Sequence, residues 1–164
     1  MLTKPLILCL GNEIVADDRF GYEIAERLAG DCHVGEAAEV VFAARAGFEL
    51  IPLLTDRPAA LIVDTIRTGR DEPGTLRWHE MRAFAPTKNL TTSHQISLPT
   101  ALEFARLYQI PVPAEIDVLT VEAADLETLQ EKLTPRIAAA LEPAQRMIRQ
   151  WLTAKVVHHV ALEN

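Results

Sequence analysis

At 164 residues, 49% hydrophobic and 24% charged, the chain has the size and composition of one soluble globular domain with room for a real core. A formal net charge of −7 sets it against nucleic acid, whose phosphates it would repel, and against anionic membrane surfaces. No apolar run approaches the roughly 20 residues of a membrane span, and Met1-Leu2-Thr3-Lys4-Pro5 has no leader-like pattern, so no membrane insertion and a cytoplasmic location are expected. Cys9 and Cys32 lack a CxxC spacing, which fits a reducing compartment better than a disulfide framework or a thiolate zinc site.

Residues 5–10 are continuously apolar and stop at Gly11-Asn12, the pattern of a strand buried on both faces. A helix follows over 19–29, with Phe20, Ile24, Ala25 and Leu28 on one face, Asp17 or Asp18 as N-cap and Gly30 as its stop. A second strand covers 39–43, and Ala46-Gly47 opens a short helix through Phe48, Leu50, Ile51 and Leu54. The third strand, 59–63, ends at Asp64. Pro73-Gly74 marks a turn into a fourth strand over 75–79, too soon for a helical crossover, so that strand is expected to run antiparallel to its predecessor.

A helix over 97–108 presents Leu98, Ala101, Leu102, Ala105 and Tyr108, and the fifth strand covers 116–121. The last helix begins with Thr134 as N-cap and Pro135 at the first position; its stripe is Ile137, Leu141, Ala144, Ile148 and Leu152, with a kink expected at Pro143. One domain over 1–155 and a tail over 156–164 result. The β-α-β-α-β-β-α-β-α order predicts an α/β three-layer sandwich: a twisted, mostly parallel five-stranded sheet with one antiparallel strand and helices on both faces.

Ligands of such sheets bind at the carboxyl ends of the strands, and three segments place metal-type side chains there. Asp17 and Asp18 follow the first strand; each could cap a helix or face the crevice, and adjacent side chains diverge enough for one to do each. Asp64 is the first charge after Leu61-Ile62-Val63, where an ionised carboxylate needs a partner, either a cation or the turn at Thr65. His94 lies just before a helix N-terminus, which favours neutral imidazole with a nitrogen free to ligate. Two carboxylates and one imidazole suit a borderline divalent ion such as Ni²⁺ or Zn²⁺, with positions left open. Ser93 and Ser97 lack a nucleophile-elbow context, Gly11-Asn12 is no nucleotide loop, and the adjacent His158-His159 diverge on a helix. His79 is expected on a strand face, and Cys9 in the core.

These segments resemble a known family. Leu8 to Gly21, with its Gly-Asn and paired acids, is similar to the opening of the hydrogenase maturation proteases, the endopeptidases that process the large subunit of nickel–iron hydrogenases. Ile62-Val63-Asp64-Thr65-Ile66 resembles their second acidic motif, and Ser93-His94-Gln95-Ile96-Ser97-Leu98 their histidine motif; Pro73-Gly74-Thr75 and the final helix extend the resemblance over nearly the whole chain. The resemblance implies a hydrolase with Asp18, Asp64 and His94 as the catalytic and metal-binding set. It implies that the partner is a hydrogenase large-subunit precursor, cut at its C-terminal extension after nickel insertion. Nickel would then arrive with that precursor, and Cd²⁺ or Zn²⁺ could substitute in crystals.

Two departures stand out. Where members of the family carry an Asp-Gly-Gly-Thr-like substrate loop, this chain has Phe42-Ala43-Ala44-Arg45-Ala46-Gly47, in which only Ala46-Gly47 is familiar. Arg19 follows the early acids where glycine is usual. Arg45 and Gly47 are thus the expected substrate contacts, with Arg45 meeting an acidic part of the precursor. A second reading keeps the same partner without cleavage: a nickel-sensing checkpoint that binds the precursor. A zinc aminopeptidase would need more ligands than the chain offers.

Overall fold

The computed structural model describes residues 4–81 and 97–162, with side chains as far as Val156 in the last helix. Five strands, β1 (Leu6–Leu10), β2 (Glu39–Ala43), β3 (Ala60–Ile66), β4 (Leu76–Glu80) and β5 (Ile116–Glu122), form one sheet in the order β2-β1-β3-β5-β4. All neighbours are parallel except β4 against β5. The helices are α1 (Phe20–Ala29), α2 (Cys32–Ala37), α3 (Ile51–Leu54), α4 (Leu98–Leu107) and α5 (Pro135–Leu162). The predicted three-layer architecture is what the chain adopts.

The continuous apolar runs are explained by burial on both faces. Alternate residues of the central strands serve opposite layers. Ile7, Cys9, Leu61, Val63, Leu119 and Val121 pack with α1, α2 and α5. Leu6, Leu8, Ala60, Ile62, Ile116 and Val118 pack with α3, α4 and the 3-10 turn Gly47–Leu50. Phe20, Ile24 and Leu28 of α1 are fully buried, each worth about 2 kcal/mol of apolar transfer. The predicted stripe of α5 is buried throughout. Among the described residues no helix is long and apolar enough to cross a membrane.

Several expectations change. β3 does not end at Asp64 but continues to Ile66, so Asp64 lies within the strand. β4 runs antiparallel to β3, as expected, but pairs with β5, which lies between them: the more deeply buried β5 takes the central place and leaves half-exposed β4 at the edge. Residues 32–37 form α2, started by Asp31, whose carboxylate accepts from the N–H groups of His33 and Val34. Tyr108 is exposed: α4 ends at Leu107, and the ring stacks on Phe104 outside the core. Helix α5 runs past Lys155 to Leu162, with Pro143 inside it, where a tail was expected. His158 and His159 lie in that helix with side chains outside the described residues. The Thr134 carbonyl accepts the first bond of α5 from Ala138, yet its hydroxyl caps nothing among the described residues.

Candidate active site

The strand order reverses at β1: the chain leaves it for β2 on one side and returns to β3 on the other. That parts the connections at the carboxyl ends of β1 and β3 and opens a crevice there. Leu10-Gly11-Asn12 and Asp18 form one wall. Asp64, with Ile62 and Ile66 of β3, lies at the base, and Ala44 to Gly47 and Ser97 to Pro99 close the sides around about 460 Å³.

Glycine makes this corner possible. Gly11 has φ +144°, and a Cβ there would stand 2.1 Å from the Asp18 carbonyl oxygen. Its absence lets the chain double back so that Asn12 N–H donates to that oxygen at 3.1 Å. At Gly21 a Cβ would stand 2.1 Å from the Leu10 carbonyl, so α1 seats directly on the end of β1. Asp18 is thereby delivered to the crevice by a 3-10 turn, Asp17–Arg19, rigidly attached to β1.

The two early acids divide their work. Asp17 is fully buried. Its Oδ2 accepts from the N–H groups of Ala124 (2.9 Å) and Asp125 (2.7 Å), and its Oδ1 accepts from Thr134 N–H (2.8 Å). Neither acid caps α1, the expected role, since the turn before that helix has no side-chain cap. Asp17 instead holds the β5–α5 connection and the start of α5. Ala16 N–H and Asp17 N–H donate to Thr128 and Asp125 carbonyls at 3.0 Å each, which completes the seam.

Asp18 turns the other way. Its Oδ1 accepts from the Thr65 hydroxyl at 2.6 Å, while Thr65 N–H donates to Asp64 Oδ1 at 2.8 Å. Burial and the nearby Asp18 carboxylate push the Asp64 carboxyl up to about 7, against the Thr65 N–H. Burial also raises Asp18, opposed by the Thr65 hydroxyl and Asn12 N–H. Two acids held together in this way are costly to ionise together and are relieved by a proton or a cation.

The remaining expected residues fall as follows. Arg45 and Gly47 line the same crevice as Asp18 and Asp64. His94 lies outside the described residues; Ser97, three positions later, lines the crevice and accepts from Thr100 N–H at the start of α4. Among the described residues no three His, Cys, Asp or Glu side chains gather as a metal site. Cys9 is buried, and burial raises its thiol out of reactive range. His79 has a partner the sequence did not reveal: its Nε2 lies 2.9 Å from Thr120 Oγ1, and Thr120 lines the crevice beside Asp64, its register partner on β3. Burial and the charge of Arg77 lower the His79 pKa. The Thr65 N–H at Asp64 is the turn partner the sequence offered; the Thr65 hydroxyl's bond to Asp18 and the place of Thr120 escaped sequence reading because threonine is an ordinary strand former. Their one signal is a hydroxyl at the carboxyl end of an otherwise apolar run.

A mostly parallel α/β sandwich with paired acids in the crevice at its switch point has the form of a ligand-binding centre, and comparison with known proteins specifies its class. A family model for hydrogenase maturation protease matches residues 22–151. The chain belongs to the hydrogenase maturation protease family, and so is an endopeptidase, a hydrolase. It is 29% identical over 148 residues to the hydrogenase 2 maturation protease of Escherichia coli (strain K12), covering 88% of each chain. It is 27% identical over 155 residues to the hydrogenase expression/formation protein HupD of Rhodobacter capsulatus, covering 90% of this chain and 72% of that one. The solved structure of the hydrogenase maturating endopeptidase HybD from E. coli matches with a TM-score of 0.75 at 25% identity over 93% of each chain.

Proposed function

We propose that this endopeptidase removes the C-terminal extension from the large-subunit precursor of a nickel–iron hydrogenase, and that it recognises the nickel the precursor already carries. The observation that carries the reading is the acidic pair. Asp18, from the turn after β1, and Asp64, from β3, reach one crevice, share Thr65 as hydrogen-bond partner, and are both raised above the ordinary aspartate value. Their oxygen donors, with His94 as the third ligand, fit a borderline divalent ion. Ser97, three positions after His94 in the sequence, is a wall of that crevice.

In this reading nickel belongs to the substrate. A cation engaged there acts as a Lewis acid towards a carbonyl oxygen placed against it. The chain's own residues do the rest. Asp18 and Asp64 hold the ion and orient the precursor around it. Without the ion Asp64, with a pKa near 7, carries a proton part of the time at neutral pH, and entry of the ion displaces it. Arg45 and Gly47 receive the precursor chain along the crevice wall. Two free cysteines, one of them exposed, suit the reducing cytoplasm as the place of work.

The test is incubation with nickel-loaded and nickel-free precursor, followed by the mass of the large subunit. The expected result is loss of the C-terminal extension from the nickel-loaded form alone. Efficient cleavage of the nickel-free precursor would show that the enzyme reads sequence and not metal.

A further inference from the structure

We propose that Thr65 is a positioning residue that sets the acidic pair for its cation. The inference rests on the acid-pair reading above and deepens it. Thr65 is 6% exposed, in the last turn of pleat before β3 ends. Strand alternation places its side chain opposite to that of Asp64, on the face that Val63 shares with α1. From there its hydroxyl donates to Asp18 Oδ1 at 2.6 Å, and its backbone N–H donates to Asp64 Oδ1 at 2.8 Å. One residue thus fixes one oxygen of each acid, although the acids come from segments 46 positions apart.

The hydroxyl is what requires explanation. The run Ala60-Leu61-Ile62-Val63 fills buried sites with apolar side chains, and a valine at 65 would suit strand and core equally well in shape. A buried hydroxyl costs free energy unless it is hydrogen-bonded, and this one is spent on Asp18. Groups that orient a metal-binding side chain typically change metal affinity by about 10–100-fold when removed. The methyl of Thr65 packs; the hydroxyl orients. The two roles separate by substitution.

The experiment titrates Cd²⁺ calorimetrically into the full-length wild type, Thr65→Val, Thr65→Ser and Asp64→Asn, with thermal unfolding of each as a check on folding. The same four are assayed on nickel-loaded precursor. Thr65→Val is expected to bind Cd²⁺ at least about tenfold more weakly than wild type, and Thr65→Ser within about threefold, with processing following the same order. A packing role would give the reverse order, Val like wild type and Ser impaired, and that result overturns the proposal. So does equal binding by all three Thr65 forms. If Thr65→Val does not fold, Thr65→Cys against Thr65→Ser replaces it: the sizes are close, and only the serine is a strong donor. Failure of the acid-pair reading looks different: wild type and Asp64→Asn would bind Cd²⁺ alike, or wild type would not bind it at millimolar ion. Either outcome removes the basis for a role of Thr65.

Discussion

Asp17 and Thr134 are joined across the carboxyl edge of the sheet: the Thr134 backbone N–H donates to Asp17 Oδ1 at 2.8 Å. The other Asp17 oxygen takes the N–H groups of Ala124 and Asp125. The acid next to the candidate ligand therefore works as a clamp between the β1 loop and the start of α5. Charged hydrogen bonds of this kind contribute about 1.5–3 kcal/mol each.

Asp17→Ala is accordingly expected to lower unfolding free energy by about 3–5 kcal/mol, read by urea denaturation, because it removes a fully buried carboxylate that holds three backbone N–H groups. A helix cap, the role its sequence position suggests, would give about 1 kcal/mol. Asp17→Asn should also be destabilising, since its amide group turns a donor towards one of those N–H groups.

Asp64→Asn is expected to abolish Cd²⁺ binding and processing with the fold intact, because it removes charge without changing volume. It also changes the pH profile of stability. The Asp64 carboxyl is held up to about 7 when folded, against about 3.9 in an unfolded chain. Between those values the folded state binds the extra proton, so this group's contribution is full below about pH 4 and is lost as pH rises through about 7. Melting temperatures at pH 5 and pH 8 should show the wild type losing stability relative to Asp64→Asn at the higher pH. Cd²⁺ should bind the wild type more tightly at pH 8, since its entry displaces that proton.

The sheet was legible because β1 and the first four residues of β3 are unbroken apolar runs ended by glycine or a charge. The pairing of β4 was not, because β5, the strand it joins, lies beyond α4 in sequence and wins its central place by burial. Helix α2 escaped because six residues with one buried side chain, Val34, leave no periodic stripe. At the site, acids following apolar runs announced themselves by residue type. Their division of labour did not: Asp17 is defined by Thr134, 117 positions away, which no local pattern encodes.

Gly11→Ala is a sharper probe of the loop than any change of charge. The new Cβ would meet the Asp18 carbonyl oxygen at 2.1 Å in a backbone conformation that side chains rarely adopt. Relief requires Asp18 to move away from Asn12, and with it from Thr65. A loss of about 2 kcal/mol or more in urea unfolding is expected, together with weakened Cd²⁺ binding. Unchanged Cd²⁺ affinity would mean that the acid pair tolerates a displaced turn.

Arg45 supplies the last prediction, and it follows from place and charge. The residue is exposed in the loop after β2 and lines the crevice with Asp18 and Asp64, as its position after a parallel strand led us to expect. It forms no ion pair with another described residue. In a chain of net charge −7, a cation at the mouth of an acidic site is a local inversion of the field. Such a charge speeds encounter with an acidic partner surface and contributes less to holding it. Arg45→Glu should therefore lower kcat/KM for nickel-loaded precursor about fivefold or more at low salt, through KM and not kcat. The gap should narrow at moderate salt, where charges more than about 10 Å apart are screened. Cd²⁺ affinity, set by the acid pair beneath, should change far less than processing. Equal kcat/KM for wild type and variant at both salts would show that the precursor does not meet Arg45, and that the altered loop has no part in choosing it.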